Sequence, residues 1–145
     1  MSQDTAKPSR KGLPRWARLL MTPLILLAAA ALIWSQLPKG AYSTDLSHIG
    51  DGRPALVLTY DASFLAGMRV MGYMDEIRDD YMPRVHFLVA NVGTPDGRSL
   101  ANRHGVRDGA VLLFSAQGTL VEQLPAPAGA EELRQALDRT LMATR

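Results

Sequence analysis

The sequence predicts an α/β fold in three layers, with helices on both faces of a central sheet, preceded by one transmembrane helix. Residues 54–145 alternate between short apolar runs and segments of helical periodicity, in the order β-α-β-α-β-β-α. That order predicts parallel strands followed by a terminal hairpin. Residues 19–38 form one uncharged run, and the chain of 145 residues contains no cysteine.

The element boundaries follow from apolar spacing and from turn-forming residues. We predict strands at residues 55–60, 85–92, 111–115 and 119–124, and helices at residues 64–81, 96–104 and 130–142. Asp61 or Ser63 could cap the first of these helices, and Pro83 ends it. Gly105 ends the second helix, and Gly118 lies in the turn of the hairpin.

The N-terminal part of the chain divides into three predicted segments. They are a basic cytoplasmic tail at residues 1–18, a transmembrane signal anchor at residues 19–37 and a linker at residues 38–53, and the folded domain follows at residues 54–145. A helix of about 20 uncharged residues is about 30 Å long, which is enough to cross the hydrocarbon core of a bilayer. Trp16 and Trp34 lie near the ends of the run, where indole rings favour the membrane interface.

The basic tail predicts the orientation of the chain, because the cationic side of such a helix stays in the cytoplasm. The domain is then expected in the periplasm, on a single-pass protein of the bacterial inner membrane. The bacterial assignment rests on arginine, which outnumbers lysine ten to one after residue 38. A cleavable signal peptide is the alternative, because alanines 28–31 are small residues of the kind that signal peptidase accepts. The apolar run continues through Trp34, which favours the uncleaved anchor.

The formal net charge of +2 is unevenly distributed. Residues 1–18 carry five of the 16 lysines and arginines but one of the 14 acidic residues, so the rest of the chain has a formal charge of −2. A domain with this charge is not expected to bind nucleic acid. The predicted partners are the membrane, through residues 19–37, and an unidentified periplasmic or membrane protein, and no cofactor is predicted.

Several short motifs stand in the order in which the thioredoxin family has them. They are the apolar run 54–60, Asp75-Glu76-Ile77 followed by Tyr81, Asn91-Val92, Arg103-His104-Gly105-Val106-Arg107, and Leu112-Leu113-Phe114 with Gly118. On these residues, positions 54–144 resemble a degenerate thioredoxin-like domain. The resemblance implies a βαβαββα sandwich of that type, with Phe64-Leu65-Ala66-Gly67 in the place of the family's Cys-x-x-Cys pair.

The reactive groups of that family are missing from this chain. Thiol–disulfide exchange needs a thiolate nucleophile, and no cysteine is present to supply one. The resemblance also places the family's buried acid at Leu58 and its cis-proline at Gly109 or Ala110. We therefore expect no oxidoreductase activity. No other enzyme activity is expected either, because no acid–base pair is indicated near this surface.

The former active-site surface is the predicted partner-binding groove. It comprises Phe64, Leu65, Ala66, Gly67, Gly109 and Ala110. An exposed aromatic side chain at a helix start could hold an apolar partner, and the backbone of Gly109 and Ala110 could pair with an extended segment. The alternative is that Phe64 and Leu65 fold inward and cover the loop. The predicted function is thus that of a redox-inactive protein-binding or assembly module.

A second function is considered because of the methionines. Met68, Met71 and Met74 have a spacing that brings three thioethers within one arc of a helix, as in a Cu(I)-binding metallochaperone. Core packing is the competing interpretation of the same spacing, because methionine commonly fills gaps in cores. The histidines are scattered, and none has a partner at a recognised metal-ligand spacing; they are His48, His86 and His104.

Overall fold

The computed structural model describes residues 14–35 and 40–143. Contacts between residues divide the chain into two compact units, with the division after Lys39. The predicted basic tail lies outside the described residues up to position 13. Residues 36–37 of the predicted transmembrane segment and residues 38–39 of the predicted linker also lie outside them.

The first unit contains one helix, α1 (Arg15–Ser35), rich in leucine and alanine and with Pro23 inside it. Among the described residues, no helix is both long and apolar enough to cross a membrane. The predicted membrane-spanning segment at residues 19–37 includes residues 36–37, which lie outside the described part of the chain. The helix begins at Arg15, so its first turn contains Arg15 and Arg18.

The second unit has seven regular elements after a short 3-10 turn. The turn is Leu46–His48, and the elements are β1 (Ala55–Tyr60), α2 (Ala66–Tyr81), β2 (His86–Asn91), α3 (Pro95–His104), β3 (Val111–Phe114), β4 (Leu120–Leu124) and α4 (Ala130–Ala143). The strands form one mixed sheet in the order β2-β1-β3-β4. β1 is parallel to β2 and antiparallel to β3, and β3 and β4 form an antiparallel hairpin. The prediction of an α/β fold is confirmed.

Alternate side chains of β1 point to opposite faces of the sheet, as the period of a strand requires. Leu56 and Leu58 belong to a core cluster that includes residues of α2 and α4. Ala55 and Val57 belong to a second cluster that includes Leu100 of α3. Every residue of β1 before Tyr60 is fully buried, because helices cover both faces.

Residues 40–53, predicted to be a linker, pack on the sheet. Val89 donates a backbone hydrogen bond to the carbonyl of Ser43, and Ser43 forms an isolated parallel bridge with Leu88 of β2. Tyr42 packs against the α2–α4 side of the core, while Leu46 and Ile49 pack against the opposite side. The segment therefore pairs through its backbone with β2, an edge strand of the sheet. The second compact unit accordingly begins at Gly40 and not at the start of β1.

One cis peptide bond occurs among the described residues, at Met82–Pro83, between α2 and β2. The backbone before β3, where the resemblance placed the family's cis-proline, carries Gly109 with a φ of 83°.

Candidate functional site

The candidate site lies at the start of α2, beside the loop that precedes β3. Gly109 contacts Ala66 so closely that a Cβ added to Gly109 would lie 2.8 Å from the Cβ of Ala66. Ala66 and Gly67 therefore lie beside the loop that precedes β3. This corner is at the carboxyl end of β1, where parallel and doubly covered sheets commonly place their binding surfaces.

A single carboxylate holds this corner together. Asp108 accepts hydrogen bonds from the backbone amide of Asp61 at 2.8 Å and from that of Gly67 at 2.9 Å. It thereby joins the end of β1 to the first turn of α2, where a negative charge also interacts favourably with the helix dipole. A side chain on Gly67 would collide with Asp108, which explains glycine at that position.

The predicted capping of α2 is wrong. The residue before the helix is Leu65, and no side chain at that position caps the helix. Asp61 instead accepts a hydrogen bond from the amide of Ser63 within the preceding loop. Asp108, which no sequence pattern indicated, accepts the hydrogen bond from the first turn of α2 and lies in a distant loop.

The backbone of Gly109 and Ala110 does not offer free amides to an extended partner. The amide of Gly109 donates to the carbonyl of Thr59, and the amide of Ala110 donates to the carbonyl of Arg107. The carbonyl of Ala110 accepts from both the amide and the hydroxyl of Thr59. The predicted strand-like pairing at these two residues is therefore corrected, because three of their four polar backbone groups are already bonded within the domain.

Three apolar side chains at the start of α2 are exposed and form what we call the α2 patch. Phe64 is 59% exposed, Leu65 is 70% exposed and Met68 is 54% exposed. Phe64 and Leu65 thus do not fold inward over the loop. Large exposed apolar side chains that are near one another in the chain are candidates for an interaction site.

A groove of about 820 Å³ adjoins the α2 patch. Its lining includes Phe64 and the exposed arginines Arg98 and Arg107. Asp61 and Asp108 also line it, and Asp108 is already engaged by two amides. The free volume is therefore bordered by an aromatic ring, two cationic side chains and two carboxylates.

The predicted methionine site does not assemble. Met74 is fully buried in the core, Met71 is partly buried against the same core, and Met68 is exposed in the α2 patch. The three thioethers therefore do not share a surface from which they could bind Cu(I). Core packing explains Met74 and Met71.

The structure brings together two of the three histidines, which the sequence analysis left scattered. His48 Nδ1 lies 3.2 Å from Asp51 Oδ2, and His86 Nε2 lies 2.8 Å from the same oxygen. The two imidazole rings stack, with centroids 4.9 Å apart. We call these three residues the His–Asp–His cluster. His104 is elsewhere, edge-on to the ring of Phe114 at a centroid distance of 5.6 Å.

Electrostatics in the cluster favour the charged carboxylate. Desolvation acts to raise the pKa of Asp51, but hydrogen bonds with His48 and His86 outweigh it, so the pKa lies below its usual value. The donor atoms of the three residues all lie within 4.8 Å of one another. Sequence spacing could not reveal this arrangement, because 35 positions separate Asp51 from His86.

Comparisons with known proteins support the fold alone. No protein-family model matches the chain, and no curated protein matches it. A solved structure described as that of a malarial protein is similar, with a TM-score of 0.53 and 16% sequence identity. The alignment covers 61% of this chain and 98% of the other. At this identity the similarity concerns the backbone and not the activity.

Proposed function

We propose that residues 40–143 form a redox-inactive, thioredoxin-like protein-binding module whose contact surface is the α2 patch with the adjoining groove. The observation that carries the proposal is the exposure of Phe64, Leu65 and Met68 beside a groove large enough for side chains. Thiol exchange is not available to a chain without cysteine. A periplasmic location for this module stays a prediction from the sequence.

The chemistry of the surface specifies the partner. An apolar side chain would pack against Phe64 and Leu65, since burying a large apolar group stabilises a contact by about 1.5–3 kcal/mol. An acidic side chain close to it could pair in the groove with Arg98 or Arg107, which line it. We therefore propose a protein segment that carries an apolar residue and, nearby, an acidic residue. Side-chain contacts provide the recognition, because the amides of Gly109 and Ala110 are already bonded.

Selection from a random peptide library tests this proposal on the full chain. We expect selected peptides to share an apolar and an acidic residue. Phe64→Asp should weaken their binding at least tenfold, or about 1.4 kcal/mol, because it puts a charge where the apolar side chain packs. Since Phe64 is exposed, its replacement should leave the thermal melting curve unchanged.

Met142→Asp is the matched control, because Met142 is a 73% exposed apolar residue on α4. Met142→Asp should leave peptide affinity unchanged. Arg107→Glu should lower it, because this change reverses a charge at the groove. Peptides that bind wild type and Phe64→Asp equally well would show that the α2 patch is not the binding surface.

A further inference from the structure

The His–Asp–His cluster lies at the opposite end of the sheet from the groove. His86 begins β2, whereas the groove adjoins Asn91 at the end of the same strand. The two residues are five positions apart along the strand, which corresponds to a distance of about 17 Å. Any activity of the cluster is therefore independent of the α2 patch.

We propose that His48, Asp51 and His86 bind a divalent transition-metal ion of the zinc type. Two imidazole nitrogens and one carboxylate oxygen are a donor set that zinc and its neighbours in the first transition series accept. The three side chains come from the 3-10 turn, the loop after it and the start of β2. A bound ion would join the segment 40–53 to the sheet.

The three donor atoms are close enough together to share one ion after modest side-chain rotation, because all lie within 4.8 Å of one another. Around a tetrahedral zinc ion, with bonds of about 2.0–2.2 Å, ligand atoms lie roughly 3.3–3.6 Å apart. The two nitrogens lie 3.2 Å and 2.8 Å from Asp51 Oδ2. Side-chain rotations that widen the first contact by about 0.1–0.4 Å and the second by about 0.5–0.8 Å would make room for the ion between the three atoms.

An imidazole that binds a metal ion directs a nitrogen lone pair toward it. His48 would coordinate through Nδ1 and carry its proton on Nε2, which lies 3.8 Å from Asp45 Oδ2. A carboxylate near the far nitrogen of a ligating histidine is a common arrangement that orients the ring. His86 would coordinate through Nε2, the nitrogen that already contacts Asp51.

The backbone fixes Asp51 in position before any ion binds. Gly50 and Gly52, on either side of it, have φ angles of 89° and 105°, which other residues rarely adopt. Gly50 also packs against Gly118, where an added Cβ would come within 3.2 Å of the backbone. The amide of Gly52 donates to the carbonyl of Ala116. Preorganisation of this kind lowers the entropic cost of binding.

Access to the cluster is sufficient for an ion to enter. The side chains of His48, Asp51 and His86 are 42%, 30% and 12% exposed, respectively. The site is thus shielded on the side of the sheet and open on the side of the loop. The open side leaves a coordination position for water.

Calorimetric titration of the full, untagged chain with zinc chloride tests the proposal. We expect one ion per chain with a dissociation constant in the micromolar range or tighter. His48→Gln and His86→Gln should each weaken binding at least tenfold, and Asp51→Asn, which keeps the size of the side chain, should weaken it as well. A titration without saturable binding would overturn the proposal.

The third histidine provides the matched control. His104→Gln should leave zinc affinity unchanged, because His104 packs on Phe114 and not in the cluster. Equal loss of affinity in this variant and in His48→Gln would overturn the assignment. If His86→Gln does not fold, His48→Gln decides the question, since the His48 side chain is outside the sheet and partly exposed. Zinc should also shift the NMR signals of the His48 and His86 rings but not those of His104.

Discussion

At the scale of single residues, Asp108 shows how much one side chain organises the candidate site. Its two carboxylate oxygens accept hydrogen bonds from the backbone amides of Asp61 and Gly67, which lie 47 and 41 positions earlier in the chain. Asp108→Ala would leave both partly buried amides without an acceptor. We expect a loss of about 1–3 kcal/mol in the free energy of unfolding, measured by urea denaturation. Peptide binding at the α2 patch should weaken too, since the start of α2 is then less well fixed.

Asp108→Asn separates hydrogen bonding from charge. The amide oxygen of asparagine can still accept one hydrogen bond, while the favourable interaction with the helix dipole, about 0.3–1 kcal/mol, is lost. This variant should therefore unfold at a urea concentration between those of wild type and Asp108→Ala. If the alanine variant were as stable as wild type, the carboxylate would not hold the corner together.

Residues whose role depends on local backbone could be predicted from the sequence, and residues whose role depends on distant contacts could not. Gly105 was expected to end a helix, and it does so in the left-handed conformation with a φ of 64°. Asp108 gave no local signal, because its partners are far away in sequence. For the same reason the cap of α2 was assigned to Asp61 or Ser63, which lie next to the helix.

At the scale of elements, the contact between α2 and α4 contains a polar link within an apolar interface. The hydroxyl of Tyr81 lies 2.7 Å from Asp138 Oδ1, to which it donates a hydrogen bond. Tyr81→Phe removes this bond while keeping the ring, which is part of the core. We expect destabilisation by about 1–2 kcal/mol near neutral pH, measured by urea denaturation. Tyr73→Phe is the control on the same helix, because among the described residues no hydrogen bond to its hydroxyl is found.

The contribution of the Tyr81 hydroxyl to stability should change at alkaline pH. Burial, with the Asp138 hydrogen bond, raises the pKa of Tyr81 to about 12. In the unfolded chain its pKa is about 10. The folded state thus keeps a proton that the unfolded state releases, so the contribution of the hydroxyl is complete below pH 10 and is lost between pH 10 and 12. The stability difference between wild type and Tyr81→Phe should shrink over that interval. A difference that stays constant up to pH 12 would contradict this assignment.

The ends of a strand could be predicted from the sequence where helices pack on both faces of the sheet, because every residue of such a strand is then apolar or buried. β1 agrees at both ends with the predicted strand, since six residues of near-continuous apolar character have few other interpretations. α2 begins two residues later than predicted, because Phe64 and Leu65 are exposed and precede the helix. They were predicted either to be exposed to a partner or to fold inward over the loop, and the structure leaves them exposed in the α2 patch.

At the scale of the whole molecule, the segment before β1 could not be predicted from composition. Residues 38–53 are polar and rich in turn formers, which indicates a linker. In the structure, Tyr42 stacks beneath the guanidinium of Arg78 at 4.6 Å and hydrogen-bonds to Asp75. The His–Asp–His cluster arises in the same segment. The contacts of Tyr42 with Asp75 and of Asp51 with His86 join residues 33 and 35 positions apart, so neither periodicity nor motif spacing could indicate them.

Two truncations test where the folded unit begins. A chain of residues 40–145 should keep the melting transition of the second unit, because the contacts divide after Lys39. A chain of residues 54–145 loses the packing of Tyr42, Leu46 and Ile49 and the backbone bond from Val89 to Ser43. Three half-buried apolar side chains at about 1 kcal/mol each predict a loss of roughly 3 kcal/mol in the free energy of unfolding. That is a large part of the 5–15 kcal/mol typical of a domain, so the shorter chain should melt at a clearly lower temperature. Equal melting temperatures for the two truncations would show that residues 40–53 act as a linker after all.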